Sequence, residues 1–243
     1  MKITAFNGSA RGAKGNTHVL VDGFLDGAAE AGAEVENIPL AGKKIKHCRG
    51  CFKCWTRTPG ACAMKDDMAE LLPKFADSDI VVFATPLYVD NVSGLMKNFM
   101  DRMVPLIDPH FEKDPAGEYR HVKAAGVPRI VVISNCAFPE QSHFQVLRLL
   151  FKRIARNMHS EVVAEIYRGG GELLRVESAM LKFMLRGYKR AVRKAGREVV
   201  ENGAITEATQ AELEKPLIPH DVYIRNANKH WDRELKKSGE RAA

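Results

Sequence analysis

Apolar positions along this chain follow two alternating rhythms. Short runs rich in apolar residues cover Lys2 to Phe6, Glu34 to Ile38, Asp79 to Ala84, Arg129 to Ser134 and Glu161 to Tyr167. Runs of this length predict strands, and Asp-Ile-Val-Val-Phe-Ala from Asp79 has the unbroken character of a strand covered on both faces. Between the runs, apolar residues return every three or four positions. Val19, Leu20, Phe24 and Leu25 do so within Thr17 to Ala31, and Met68, Leu71, Leu72 and Phe75 within Asp67 to Ala76; Gly94 to Met103 and the basic stretch Gln141 to Asn157 read the same way. Such spacing puts the apolar residues on one side of a helix.

Five strands separated by crossover helices predict an α/β fold, a doubly wound five-stranded parallel sheet of the flavodoxin type. After Gly169-Gly170-Gly171 the rhythm changes to long basic helices from Val176 to Asn202, followed by a polar tail containing Pro216 and Pro219. The expected organisation is a flavodoxin-like domain over residues 1–170, carrying a cysteine loop at 48–62, and a C-terminal helical extension over 171–243. No internal repeat or low-complexity segment interrupts it.

The 243 residues carry a formal net charge of +7, with only 7% aromatic residues. Much of the basic excess falls in the C-terminal third, where Met180, Leu181, Met184, Leu185, Tyr188 and Val192 form a packing stripe beside it. A solvated helix face accounts for that charge, so no nucleic-acid partner is expected; anionic small molecules suit it. No basic leader or apolar stretch of about eighteen residues is present, so the chain is expected in the cytoplasm and not in a membrane. The eight histidines show no ligand spacing.

Four of the five cysteines, Cys48, Cys51, Cys54 and Cys62, fall within fifteen residues in the spacing C-x2-C-x2-C-x7-C. Three thiolates spaced by two residues can wrap one inorganic core from a single loop, as the corresponding run of bacterial ferredoxins does for a [4Fe-4S] cluster. Structural zinc sites usually take two separated knuckles, whereas three cysteines here share one run, which favours iron-sulfur over zinc. Reduced thiols without metal, or a redox-active pair, form the remaining reading. Cys136 ends an apolar run and is expected as a small core residue.

The first strand-to-helix turn reads Asn7-Gly8-Ser9-Ala10-Arg11-Gly12-Ala13-Lys14-Gly15-Asn16-Thr17. Small residues, hydroxyls and a following helix N-terminus are what a phosphate requires, although Asn16 or Thr17 as a plain helix cap would account for part of it. The spacing is neither that of a P-loop nor that of a dinucleotide fingerprint. A further loop, Thr85-Pro86-Leu87-Tyr88-Val89-Asp90-Asn91-Val92-Ser93-Gly94, follows the third strand, and Ser134 to Glu140, including Asn135, follows the fourth. Ligands of open α/β sheets bind at such strand ends, so the three loops are expected to share one crevice, with Ser93 capping the next helix.

Taken together, Gly8-Ser9-Ala10-Arg11 through Asn16-Thr17, Pro86-Leu87-Tyr88 leading to Gly94-Leu95-Met96-Lys97-Asn98-Phe99-Met100-Asp101-Arg102, and the cysteines followed by Asp66-Asp67-Met68 resemble the flavodoxin-fold NAD(P)H-dependent FMN reductases, iron-sulfur flavoprotein branch. The resemblance covers about the first two-thirds of the chain. It implies that Ser9, Arg11, Asn16 and Thr17 hold the FMN phosphate, that Pro86, Leu87, Tyr88 and Asn91 lie along the isoalloxazine, and that Cys48, Cys51, Cys54 and Cys62 ligate a [4Fe-4S] cluster. The implied function is an oxidoreductase passing electrons between NAD(P)H, or a reduced ferredoxin-like carrier, and a small-molecule acceptor. Lys43, Lys44, Lys46, His47, Arg49 and Lys53 would offer an acidic carrier a docking face. An FMN-only quinone or flavin reductase, or a zinc or thiol redox-sensing module, are the alternatives. No catalytic acid or base is named. The apolar stripe of the extension and the segment Pro105 to Gly126 predict a homo-oligomer, dimer or tetramer.

Overall fold

The computed structural model describes residues 1–123, 127–176 and 179–242, the side chains of 179–181 and 240–242 excepted. Met180 and Leu181 of the expected stripe therefore lie outside the described side chains. In chain order the elements are β1 (Lys2–Asn7), α1 (Asn16–Glu30), β2 (Glu34–Pro39), the short α2 (Lys53–Thr56), α3 (Met68–Ala76), β3 (Ile80–Pro86), α4 (Gly94–Asp101), β4 (Phe111–Lys113), β5 (Tyr119–His121), β6 (Arg129–Asn135), α5 (Gln145–Asn157), β7 (Val162–Arg168), α6 (Ala179–Asn202), α7 (Glu207–Glu214) and α8 (His220–Ala242).

Five strands form one parallel sheet in the order β2-β1-β3-β6-β7, the flavodoxin-like arrangement in which the strand order reverses beside β1. Helices cover both faces. On one, Leu20, Phe24 and Leu25 of α1 pack with Leu185, Tyr188, Val192 and Val199 of α6 over Ile3, Val82 and Ile133 of the sheet. On the other, Leu71 and Phe75 of α3, Met96 and Phe99 of α4 and Phe151 of α5 cover Phe6, Phe83 and Val132. The alternation of the two sets along each strand is the period-two geometry of a sheet buried on both sides.

Glycine lets α1 and α6 touch backbone to backbone. A Cβ on Gly27 would lie 1.8 Å from the carbonyl oxygen of Arg193, and one on Gly196 would lie 1.9 Å from that of Phe24. Arg193 and Arg197 flank the crossing and pair with Glu30.

The structure departs from the sequence readings, or adds to them, in four places. Within the segment after Pro105, β4 and β5 form an antiparallel hairpin, held to α5 by Arg156 with Asp114 and by Arg153 with Glu118. The polar tail is helical: Thr206 caps α7 by accepting from the Thr209 amide, and Pro219 stands just before α8. Gln141 to Phe144 forms a 3₁₀ turn before α5. Neither Asn16 nor Thr17 caps α1, whose first residue follows Gly15 with no side-chain cap. Among the described residues no helix is long and apolar enough to cross a membrane.

Candidate functional site

Parallel register brings the ends of β1, β3 and β6 level, with Asn7 beside Ala84 and Pro86 beside Asn135. Three loops leave from there and enclose a crevice of about 390 Å³. That volume falls within the range of small-molecule sites.

The loop after β1 is held from below. The Gly8 amide donates to the Ala84 carbonyl at 2.7 Å, the Ser93 hydroxyl donates to the Gly8 carbonyl at 2.7 Å, and the Ser9 amide donates to Asn7 Oδ1 at 3.0 Å. A Cβ on Gly8 would stand 2.8 Å from Met96 Cβ, so only glycine lets α4 approach this turn. Gly15 is equally confined, because its Cβ would meet Ser9 Oγ at 2.3 Å. Ser93 caps α4 and Thr206 caps α7, whereas α1 begins at the crevice without a side-chain cap. Like α3 and α5 it makes no side-chain cap bond, and here the first amides and the positive end of the dipole stand at the crevice.

Opposite, Tyr88 and Asn91 exchange both backbone hydrogen bonds, 2.9 and 3.0 Å, around a two-residue turn. Its central residues, Val89 and Asp90, have φ of 49° and 54°. This conformation favours Asn-Gly, and a β-branched residue there is strained. Asn91 Oδ1 accepts from the Val92 amide, so Asn91 shapes the turn and is absent from the crevice lining. Asn135 Nδ2 donates to Thr17 Oγ1 at 2.7 Å, tying the β6 loop to α1.

Of the nine residues expected around the flavin, Ser9, Arg11, Asn16, Thr17, Pro86, Leu87, Tyr88 and Asn135 line this one crevice and Asn91 does not. Gly15, Val89, Asp90, Cys136, Ala137, Phe138 and Glu172 line it too. Glu172 comes from the turn after β7. Arg175 in the same turn donates to the carbonyls of Ala13 and Gly15, latching the first loop from outside. The only sequence signal for this latch was Gly169-Gly170-Gly171. A Cβ on Gly169 would meet the Pro139 carbonyl oxygen at 2.4 Å, Gly170 has φ of 61°, and a Cβ on Gly171 would meet Asn135 Oδ1 at 2.8 Å.

The four clustered cysteines line a second, smaller pocket at the far end of α4. Cys48 and Cys51 are exposed, Cys54 is buried and Cys62 is half-buried. Burial pushes the Cys54 thiol up, and the neighbouring Cys62, Cys51 and Cys48 add to that shift. The loop is anchored on three sides. Asn98 Nδ2 donates to the Ile45 carbonyl, Trp55 Nε1 donates to the carbonyls of Val104 and Ile107, and Phe52, at φ of 50°, stacks on Trp55. Among the described residues no three His, Cys, Asp or Glu side chains stand ready to hold a single metal ion. Cys136, 8% exposed, belongs to the core and to the crevice, and burial pushes its thiol up to about 11.

The sequence model of a family described as NADPH-dependent FMN reductase matches residues 1–162. An iron-sulfur flavoprotein of Archaeoglobus fulgidus is 40% identical over 105 residues, 43% of this chain and 46% of its own. Another, from Methanocaldococcus jannaschii, is 40% identical over 106 residues, 44% of this chain and 53% of its own. The match thus spans about half the length of these curated relatives. In three dimensions the chain is similar to an NAD(P)H:quinone oxidoreductase from Methanothermobacter marburgensis, with a TM-score of 0.60 at 14% identity over 82% of this chain and 96% of that one, a likeness of fold.

Proposed function

The chain belongs to the NADPH-dependent FMN reductase family, and from that premise we propose that it is an FMN-dependent oxidoreductase passing electrons between NAD(P)H, or a reduced ferredoxin-like carrier, and a small-molecule acceptor through a [4Fe-4S] cluster on Cys48, Cys51, Cys54 and Cys62. The observation that carries the flavin half is the uncapped N-terminus of α1 opening into a crevice that also gathers Ser9, Thr17, Pro86, Tyr88 and Asn135. Residues and group fit: the amides of α1 with the Ser9 and Thr17 hydroxyls would hold the phosphate, and Arg11 would offset its charge. Pro86, Leu87 and Tyr88 would lie along the isoalloxazine, while Asn135 keeps Thr17 oriented.

The donor chemistry of the second pocket also fits. Four thiols from one loop surround it, and a cube of iron and sulfide holds its thiolates farther apart than a single ion would. Bound FMN would take a hydride as two electrons and release them singly, and a cluster would carry one at a time. The protein contributes position: α4 runs from the flavin crevice to the cysteine pocket, eight residues or ~12 Å of helix. Free thiols in all five cysteines suit a reducing cytoplasm.

The FMN-only alternative keeps the same crevice and draws on the lack of a ready single-ion site among the described residues. Anaerobic purification and reconstitution, followed by an absorption spectrum with flavin, iron and sulfide assays, separates the two. Flavin with about four iron atoms per chain is the expected result. Flavin without iron leaves an FMN reductase, and no flavin overturns the reading as a whole.

A further inference from the structure

Arg102, immediately after α4, is among the largest side chains that are fully buried among the described residues. Its guanidinium faces three acceptors at once. Nη1 donates to Asp66 Oδ2 at 2.7 Å and to the Lys46 carbonyl at 2.5 Å; Nη2 donates to Asp66 Oδ1 at 3.0 Å and to Cys62 Sγ at 3.3 Å. Asp66, whose side chain is 1% exposed, accepts in addition from the amides of Lys46 and Met68. The carboxylate balances the guanidinium charge, Nε finds no partner, and the second Nη2 hydrogen is directed at a cysteine sulfur. Arg102 lines the cysteine pocket together with all four thiols.

Resting on the cluster reading above, we propose that Arg102 is a positioning residue whose Nη2 donates a hydrogen bond to the Cys62 ligand sulfur and raises the reduction potential of the cluster. Adding one electron makes the cluster and its thiolates more negative, and a donor already fixed on a ligand sulfur favours that reduced state. Because Asp66 neutralises the guanidinium, direction matters more than net charge. Lysine keeps the charge but is a point donor that cannot span Asp66, Lys46 and Cys62 together.

The test compares wild type, Arg102→Lys and Arg102→Gln, each reconstituted with iron and sulfide without oxygen. Flavin content checks the fold, since the flavin crevice lies at the opposite end of α4. Redox titration followed by electron paramagnetic resonance reads the cluster. Both variants should hold flavin as wild type does and show a lower potential, with the ratio of reduced to oxidised cluster at fixed potential falling about tenfold, or about 59 mV for one electron. An unchanged potential in variants that carry the cluster, or a wild-type value in Arg102→Lys, overturns the proposal. So does failure of both variants to take up iron while wild type does, which would make Arg102 a structural strut. Wild type that binds flavin but no iron brings down the cluster reading itself, and this inference with it.

Discussion

Ser9 and Thr17 lie on opposite sides of the α1 N-terminus, both buried and both lining the crevice. On the proposed reading each hydroxyl would donate to a phosphate oxygen, and a hydrogen bond to a charged group contributes about 1.5–3 kcal/mol. Replacing both by alanine should weaken FMN binding at least about tenfold, as read by flavin fluorescence quenching, with an unchanged circular dichroism spectrum; unchanged affinity would exclude this loop as the phosphate site. Cys136, in the crevice lining, differs from the loop cysteines at the far end of α4. With its thiol at about 11, about one molecule in 10⁴ is thiolate at pH 7, whereas Cys48 and Cys51 are exposed. Brief treatment of the iron-free native protein with iodoacetamide should label Cys48 and Cys51 and spare Cys136, checked by peptide mass spectrometry. Eight of the nine expected residues line one crevice because they stand at the ends of neighbouring parallel strands, a position the strand pattern discloses. Asn91 does not line it, its side chain accepting from the next amide of its own turn, and Asn16 and Thr17 line it without serving as the plain helix cap that was their alternative reading.

Glycines of α6 separate two demands on one helix. Alanine is intrinsically better in a helix by about 0.5–1 kcal/mol, and a Cβ at Gly187 meets nothing within 4 Å. At Gly196 the same methyl would meet the Phe24 carbonyl, and forced separation of packed helices costs about 1–3 kcal/mol. Gly187→Ala should therefore raise the thermal midpoint and Gly196→Ala lower it, the opposite signs being the test. Between α6 and α7, Glu198 accepts from the Thr206 amide and from the hydroxyls of Thr206 and Thr209. Burial pushes its carboxyl up, but these donors and Lys194 outweigh it and hold the carboxyl below its usual range. A depressed folded value contributes stability above the unfolded value, about 4.3, that is lost as pH falls through the folded one. The stability gap between wild type and Glu198→Gln should accordingly shrink from pH 6 to pH 3 in urea titrations. The sheet strands were legible within two residues, β3 and β6 because burial on both faces leaves an apolar run, and the half-buried edge strand β2 because it falls between two helical patterns. The β4–β5 hairpin was not, since it is held by ion pairs with α5 and by a turn at Gly117 more than by an apolar face. The tail helices were hidden by polar composition and prolines, which turn out to stand between and in front of helices.

At the scale of the whole molecule, α8 leaves Ile224, Trp231 and Leu235 exposed, seven and four residues apart on one side of the helix. Phe183 of α6 is exposed as well. We propose that a second copy of the chain covers this surface in a dimer or tetramer. Sedimentation at micromolar concentration should show a species larger than a monomer, and Leu235→Glu should shift it toward the monomer; a monomeric wild type would contradict the proposal. The sheet with its two helical layers was readable from the sequence, because each strand–helix pair declares itself locally. The role of α6 was not, since which helix a basic amphipathic segment will cover is decided by a partner more than a hundred residues earlier.

That partnership bears on how such a chain can change over time. Likeness to the family runs to residue 162, yet the sheet's first face is sealed by backbone from residues 193 to 196 lying against Phe24 and Gly27 with no room for a methyl group. Neither side of so close a crossing can drift alone. A mutation that adds bulk to α1 has to await one that lets α6 withdraw, so the portion matched by the family model and the portion beyond it are bound to a common history.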